Sequence, residues 1–228
     1  MHFFIVFLFE LALLAILSRY SSSYFLRLFH CVTGSEKLAV ILFSILFFPG
    51  TLIHELAHWL MAKLLFVHTS SMEFIPQVQG DSIKLGSVSI SKTDPFRRLL
   101  IGVAPVLIGL SIMLGMLWSI QNFFSYFNLY PWWIWLGLGY VVFVIGSTMF
   151  SSRKDLEGSL GVTISIGLTI CGIYLLDFDW VLNALYRWLT INLNDFFYQI
   201  SWLLTVPIGI NLAVIIVGLL SRQRFKAD

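Results

Sequence analysis

His54, Glu55 and His58 stand close together in the stretch from Pro49 to Phe66, inside a long apolar run. A charged side chain at mid-membrane costs a helix about 2.5–3.5 kcal/mol on insertion scales. Three ionisable residues in little more than one turn of such a helix therefore need a role. The two histidines are four apart, so on an α-helix both imidazoles leave the same face. Two imidazoles one turn apart can hold one zinc ion, and Glu55 between them can serve as base toward a water on that metal. The pattern His54-Glu55-Leu-Ala-His58 thus points to metal-assisted peptide hydrolysis. The competing reading is a polar cluster buried between helices without metal.

A catalytic zinc takes three protein ligands and keeps one position open. Asp155 is the best third ligand, since it follows a span on the same side as the histidines and at similar depth. It has a second reading. Ser152-x-x-Asp155 resembles a capping box at the start of the next helix. Glu157 is the nearest rival. His68 lies about 280° round a continued helix from His58 and cannot complete the site there. Glu73, Asp81 and Asp94 belong to a polar segment and are weaker candidates, and Asp177 and Asp179 fall on the opposite face.

The elements that must position these residues are membrane spans. Of 228 residues, 58% are hydrophobic and 11% charged, and mean hydropathy is +0.88. Soluble domains carry about 25% charged residues. This composition implies an all-α polytopic membrane protein. With about 20 residues per span, the length allows about six transmembrane helices in one membrane-embedded domain, residues 1–228. A net charge of +2 gives no footprint for nucleic acid. Cys31 and Cys171 form neither a disulfide framework nor a Cys-x-x-Cys metal site.

The expected spans are 3–18, 38–67, 96–120, 131–150, 160–176 and 200–220. The first lacks the basic flank of a secretory signal and carries Glu10, so it reads as a retained span. Residues 19–36 read as a loop or interfacial helix, and Pro49-Gly50 as a kink. Residues 69–94 read as strand, turn, strand, a small β-hairpin after the metal-binding helix. Its open edge can pair with an extended substrate, or it is a solvated surface hairpin. Trp132, Trp133 and Trp135 form an aromatic belt. Residues 180–198 read as interfacial. Six spans place both termini on one side, and the Lys/Arg excess there makes the hairpin side and the active site cytoplasmic.

Residues 38–160, a candidate catalytic core, resemble the site-2 protease family of intramembrane zinc metalloproteases. The resemblance rests on His54-Glu55-Leu-Ala-His58 in a membrane helix, the polar hairpin, a Gly/Pro-bearing span and an aspartate after the next span. It implies a core of three helices around zinc, with His54 and His58 as ligands and Glu55 as catalytic base. Asp155 takes the third ligand's place within Arg153-Lys-Asp-Leu-Glu-Gly158, where the family has Asn and Pro before Leu-Asp-Gly. The family's Gly-Pro-x-x-Asn corresponds to Ala104-Pro105-Val-Leu-Ile108, which lacks the Asn.

The leading expectation is a zinc-dependent endopeptidase cleaving membrane protein or peptide substrates in the lipid bilayer. The alternatives are a membrane-embedded peptidase taking soluble or lipidated peptides, and a non-catalytic metal-binding protein. Residues 99–150 carry no acid or histidine, which argues against a transporter's ligand-lined path.

Overall fold

A computed structural model describes residues 2–73, 77–79, 82–84, 87–91, 93–122, 131–150, 180, 183–184, 186–188 and 193–224. Its long elements are α1 (His2–Thr33), α2 (Glu36–Leu64), α3 (Pro95–Asn122), α4 (Trp132–Thr148) and α5 (Asn194–Arg224). Four of them are long and apolar enough to cross a membrane, and α4 is a shorter apolar helix. The protein is a helical membrane protein. Four short strands follow α2: β1 (Thr69–Glu73), β2 (Gln77–Gln79), β3 (Ser82–Lys84) and β4 (Ser87–Ile90). β1 pairs antiparallel with β4, and β2 with β3.

α1 does not stop at residue 18. It continues through the serine-rich segment expected to be loop or interfacial helix. The serines pair within the bundle instead of with water. Ser22 Oγ donates to the Ser18 carbonyl, and Ser21 Oγ donates to Asn211 Oδ1 of α5 at 2.5 Å. Asn211 is fully buried, and its amide donates to Ser147 Oγ of α4 at 2.8 Å and to the Pro207 carbonyl at 2.7 Å. One polar side chain thereby ties three helices together where few polar partners exist. α1 ends at Gly34, whose φ of +65° suits a left-handed cap.

The direction of each helix follows from its contacts. Phe3 meets Tyr198 edge-on, Phe7 packs on Phe197, Ser21 bonds Asn211, and Tyr24 packs on Gly218. α1 and α5 therefore run parallel. Phe25 against Phe47 sets α2 antiparallel to α1, and Met149 and Gly146 against Gly109 and Met113 set α4 antiparallel to α3. The start of α1 and the end of α5 lie at opposite ends of the bundle, not on one side as expected. Arg222 and Arg224 move with α5, which removes the Lys/Arg bias that assigned a cytoplasmic face. α4 heads toward the end at which α5 begins. The expected span 160–176 itself lies outside the described residues.

α2 runs helically through Pro49. A proline removes one backbone donor and crowds the preceding turn. Two neighbouring carbonyls take side-chain donors: the Tyr140 hydroxyl donates to the Leu46 carbonyl at 2.7 Å, and Thr51 Oγ1 to the Phe47 carbonyl at 3.0 Å. Gly50 has a packing role. A Cβ there would lie 2.6 Å from Thr148 Oγ1 and 2.7 Å from the Val144 carbonyl oxygen, so only glycine admits α4 this close. The core lies between the helices, with Leu14, Met113, Ile200, Leu204 and Val144 fully enclosed.

Candidate metal centre

The site is built on the second half of α2, where the small residues Gly50, Ala57 and Ala62 let neighbouring helices approach and bury its polar face. His54, Glu55 and His58 are 3%, 9% and 5% exposed. At 1.5 Å per residue, His58 lies about 9 Å and His54 about 15 Å from the end of α2. The helical spacing brings the two rings together as the sequence implied. His54 Nε2 and His58 Nε2 are 3.1 Å apart, with ring planes 86° apart.

The orientation of His58 has a cause on α3. His58 Nδ1 lies 2.8 Å from the backbone carbonyl of Ile101. A carbonyl only accepts, so Nδ1 carries the proton and Nε2 presents its lone pair. That is the tautomer a metal-binding imidazole needs, held by the kind of outer partner such ligands use. Ile101 is held in place by packing on Ala62 and Val67.

The donor pair fits one metal ion. Two nitrogens about 2.05 Å from a common zinc and 3.1 Å apart subtend about 98° at it, near the tetrahedral angle. Without metal, the same spacing fits a hydrogen bond from His54 Nε2–H to His58 Nε2. The two arrangements differ in composition and are separable by measurement.

No group of three or more His, Cys, Asp and Glu poised for a metal occurs among the described residues. Asp155 and Glu157 lie outside them, as does Cys171. α4 ends beside the histidine-bearing helix. Its last residues pack on Gly50, one turn before His54. His54, Gly50 and Ile53 of α2, Pro105 of α3, and Ile145, Thr148 and Met149 of α4 line one small cleft. The histidine pair thus sits where α2, α3 and α4 meet, at the level where α4 stops.

The weaker ligand candidates separate. His68 is exposed beyond the end of α2, and its carbonyl accepts from the Ser91 N–H at 3.1 Å. Asp94 caps α3: Oδ1 accepts from the Arg97 N–H at 3.0 Å, and Oδ2 lies 3.2 Å from Arg97 Nε. The hydrogen bond from that backbone N–H, followed by the guanidinium charge, holds its carboxyl below the usual range. Sequence reasoning missed two features. The Ile101 carbonyl has no side-chain signature, and the contact that Gly50 makes with α4 has none either. The chain matches no protein-family model, no curated protein and no solved structure.

Proposed function

We propose that the protein is a zinc-dependent intramembrane endopeptidase acting on membrane-associated protein substrates. The observation that carries this reading is the pair of buried imidazoles with Nε2 atoms 3.1 Å apart, one fixed in the metal-binding tautomer by the Ile101 carbonyl. A glutamate buried beside the pair favours a catalyst over a passive metal holder, because a structural site needs no base.

In this reading His54 and His58 hold the metal, and Asp155 is the third ligand. Asp155 follows Met149 of the cleft by six positions, an extended reach of about 22 Å at most. A bound zinc supplies Lewis acidity toward a carbonyl oxygen. Glu55 accepts the proton of the attacking water and passes it to the leaving nitrogen. α2, α3 and α4 form the catalytic wall, in keeping with the resemblance to site-2 proteases. The nested pairing of β1 with β4 and β2 with β3 supports reading the segment as one hairpin. Its edge can hold an unwound substrate by strand addition. Water and substrate enter from that end of the bundle.

The test separates base, ligand and cap. Glu55→Gln should retain zinc and lose cleavage of a membrane-peptide library, since it removes a base and not a ligand. Asp155→Asn should bind zinc far more weakly, because a ligand carboxylate is lost, whereas a helix cap tolerates Asn. Normal turnover by Glu55→Gln removes Glu55 from the mechanism. Wild-type zinc in Asp155→Asn assigns Asp155 to capping.

A further inference from the structure

The end of the bundle where α2 stops and α3 starts carries a basic and aromatic surface that peptide hydrolysis does not use. α2 closes with the Phe66 N–H on the Lys63 carbonyl and the Val67 N–H on the Ala62 carbonyl. This turn puts Phe66 at a φ of 56°, the left-handed region where glycine or asparagine is usual. The phenyl ring it carries is 93% exposed, so no internal packing explains a large apolar residue at this position. One turn earlier, Lys63 Nζ lies 5.8 Å from the centroid of the Trp59 ring.

The first turns of α3 continue the surface. Val67 and Ala62 pack on Ile101, so the end of α2 and the first turns of α3 lie at the same end of the bundle. Phe96 is 61% exposed there, and Arg97 and Arg98 are exposed. Arg97 is engaged by Asp94. Among the described residues no carboxylate pairs with Lys63 or Arg98, so the surface keeps two uncompensated cations.

We propose that this surface binds anionic phospholipid headgroups of the bilayer. Lys63 and Arg98 meet the phosphates, and Phe66 and Phe96 enter the boundary between headgroups and acyl chains. The charge selects the occupant. Two cations flanked by exposed phenyl rings at the end of membrane-length helices match an anionic interface, where Lys and Arg meet headgroups and apolar side chains such as Phe enter the acyl boundary. Each cation near such a surface is worth about a fivefold preference over a neutral one. A docked protein segment would bury Phe66 and needs no cations. The proposed substrate entrance opens at that same end of the bundle.

The experiment is a lipid titration of the purified full chain in neutral detergent, followed by native mass spectrometry. The probes are dioleoyl phosphatidylglycerol and dioleoyl phosphatidylcholine. The first phosphatidylglycerol should bind on the order of tenfold more tightly, and 1 M salt should erase the difference by shortening the screening length to about 3 Å. Lys63→Gln/Arg98→Gln should lose the preference and leave phosphatidylcholine binding unchanged. Phe66→Gly relieves the left-handed backbone, so it should fold at least as stably as wild type yet hold both lipids less well. Equal affinity of wild type for the two lipids overturns the proposal. So does a preference that survives the double substitution, unchanged lipid binding by Phe66→Gly, or displacement of phosphatidylglycerol by millimolar inorganic phosphate.

Discussion

Replacing Gly50 by alanine should destabilise the fold and disturb the histidine pair, although alanine is the better helix former. The added Cβ would stand 2.6 Å from Thr148 Oγ1, 2.6 Å from Val144 Cγ1 and 2.7 Å from the Val144 carbonyl oxygen. The first two contacts can relax by rotamer changes. The third is backbone, and it falls short of an ordinary 3.4 Å contact by about 0.7 Å, so α2 and α4 must move apart. Overpacking of this kind costs about 1–3 kcal/mol. The helix-propensity gain of alanine over glycine is at most about 1 kcal/mol. The net expectation is a loss on the order of 1–2 kcal/mol. Gly115 on α3 is the control, because a Cβ there meets nothing within 4 Å. Gly115→Ala should be neutral or stabilising by up to ~1 kcal/mol. Unfolding by dodecyl sulfate in mixed micelles, followed by circular dichroism, gives both values. Because Thr148 lines the cleft with His54, Gly50→Ala should also weaken zinc retention, and Gly115→Ala should not. Equal stability of the two variants would refute the close-approach argument.

Asn211→Leu should lose about 1–2 kcal/mol in the same titration, since two interhelical hydrogen bonds vanish and each averages about 0.6 kcal/mol in a membrane protein, with a maximum of about 1.7; unchanged stability contradicts the tie between α1, α4 and α5. Single cysteines at His2 and Arg224, with Cys31 and Cys171 replaced by serine, should react with an impermeant thiol reagent from opposite sides of the membrane, and a cysteine at Ser35 should behave like the one at Arg224. Labelling of His2 and Arg224 positions from one side would contradict the parallel arrangement of α1 and α5.

The meeting of the His54 and His58 rings was legible in the sequence because a separation of four has one geometric meaning on a helix. Membrane character was legible for a similar reason, since composition alone requires it. What supports the pair was not legible. The group that orients His58 is a backbone carbonyl, and any residue at position 101 would supply one. Ser18, Ser21 and Ser22 read as the end of a span, because polarity reports the cost of exposure to lipid and not the presence of a partner 190 residues away. Pro49-Gly50 signals a kink locally, but not that α2 continues as one helix and that Gly50 is where α4 approaches. Helix direction was the largest loss. Counting spans assumes that every apolar run crosses once, and only contacts such as Phe7 with Phe197 show α1 and α5 running together.

The central claim is that His54 and His58 share a metal ion and not merely a hydrogen bond. Zinc content of the purified protein measures this most directly, since the two arrangements differ by one atom. Wild type should hold about one zinc per chain, and His54→Ala and His58→Ala should each lose it while remaining folded. A wild-type protein that takes up no zinc, or full zinc in both variants, would contradict the account.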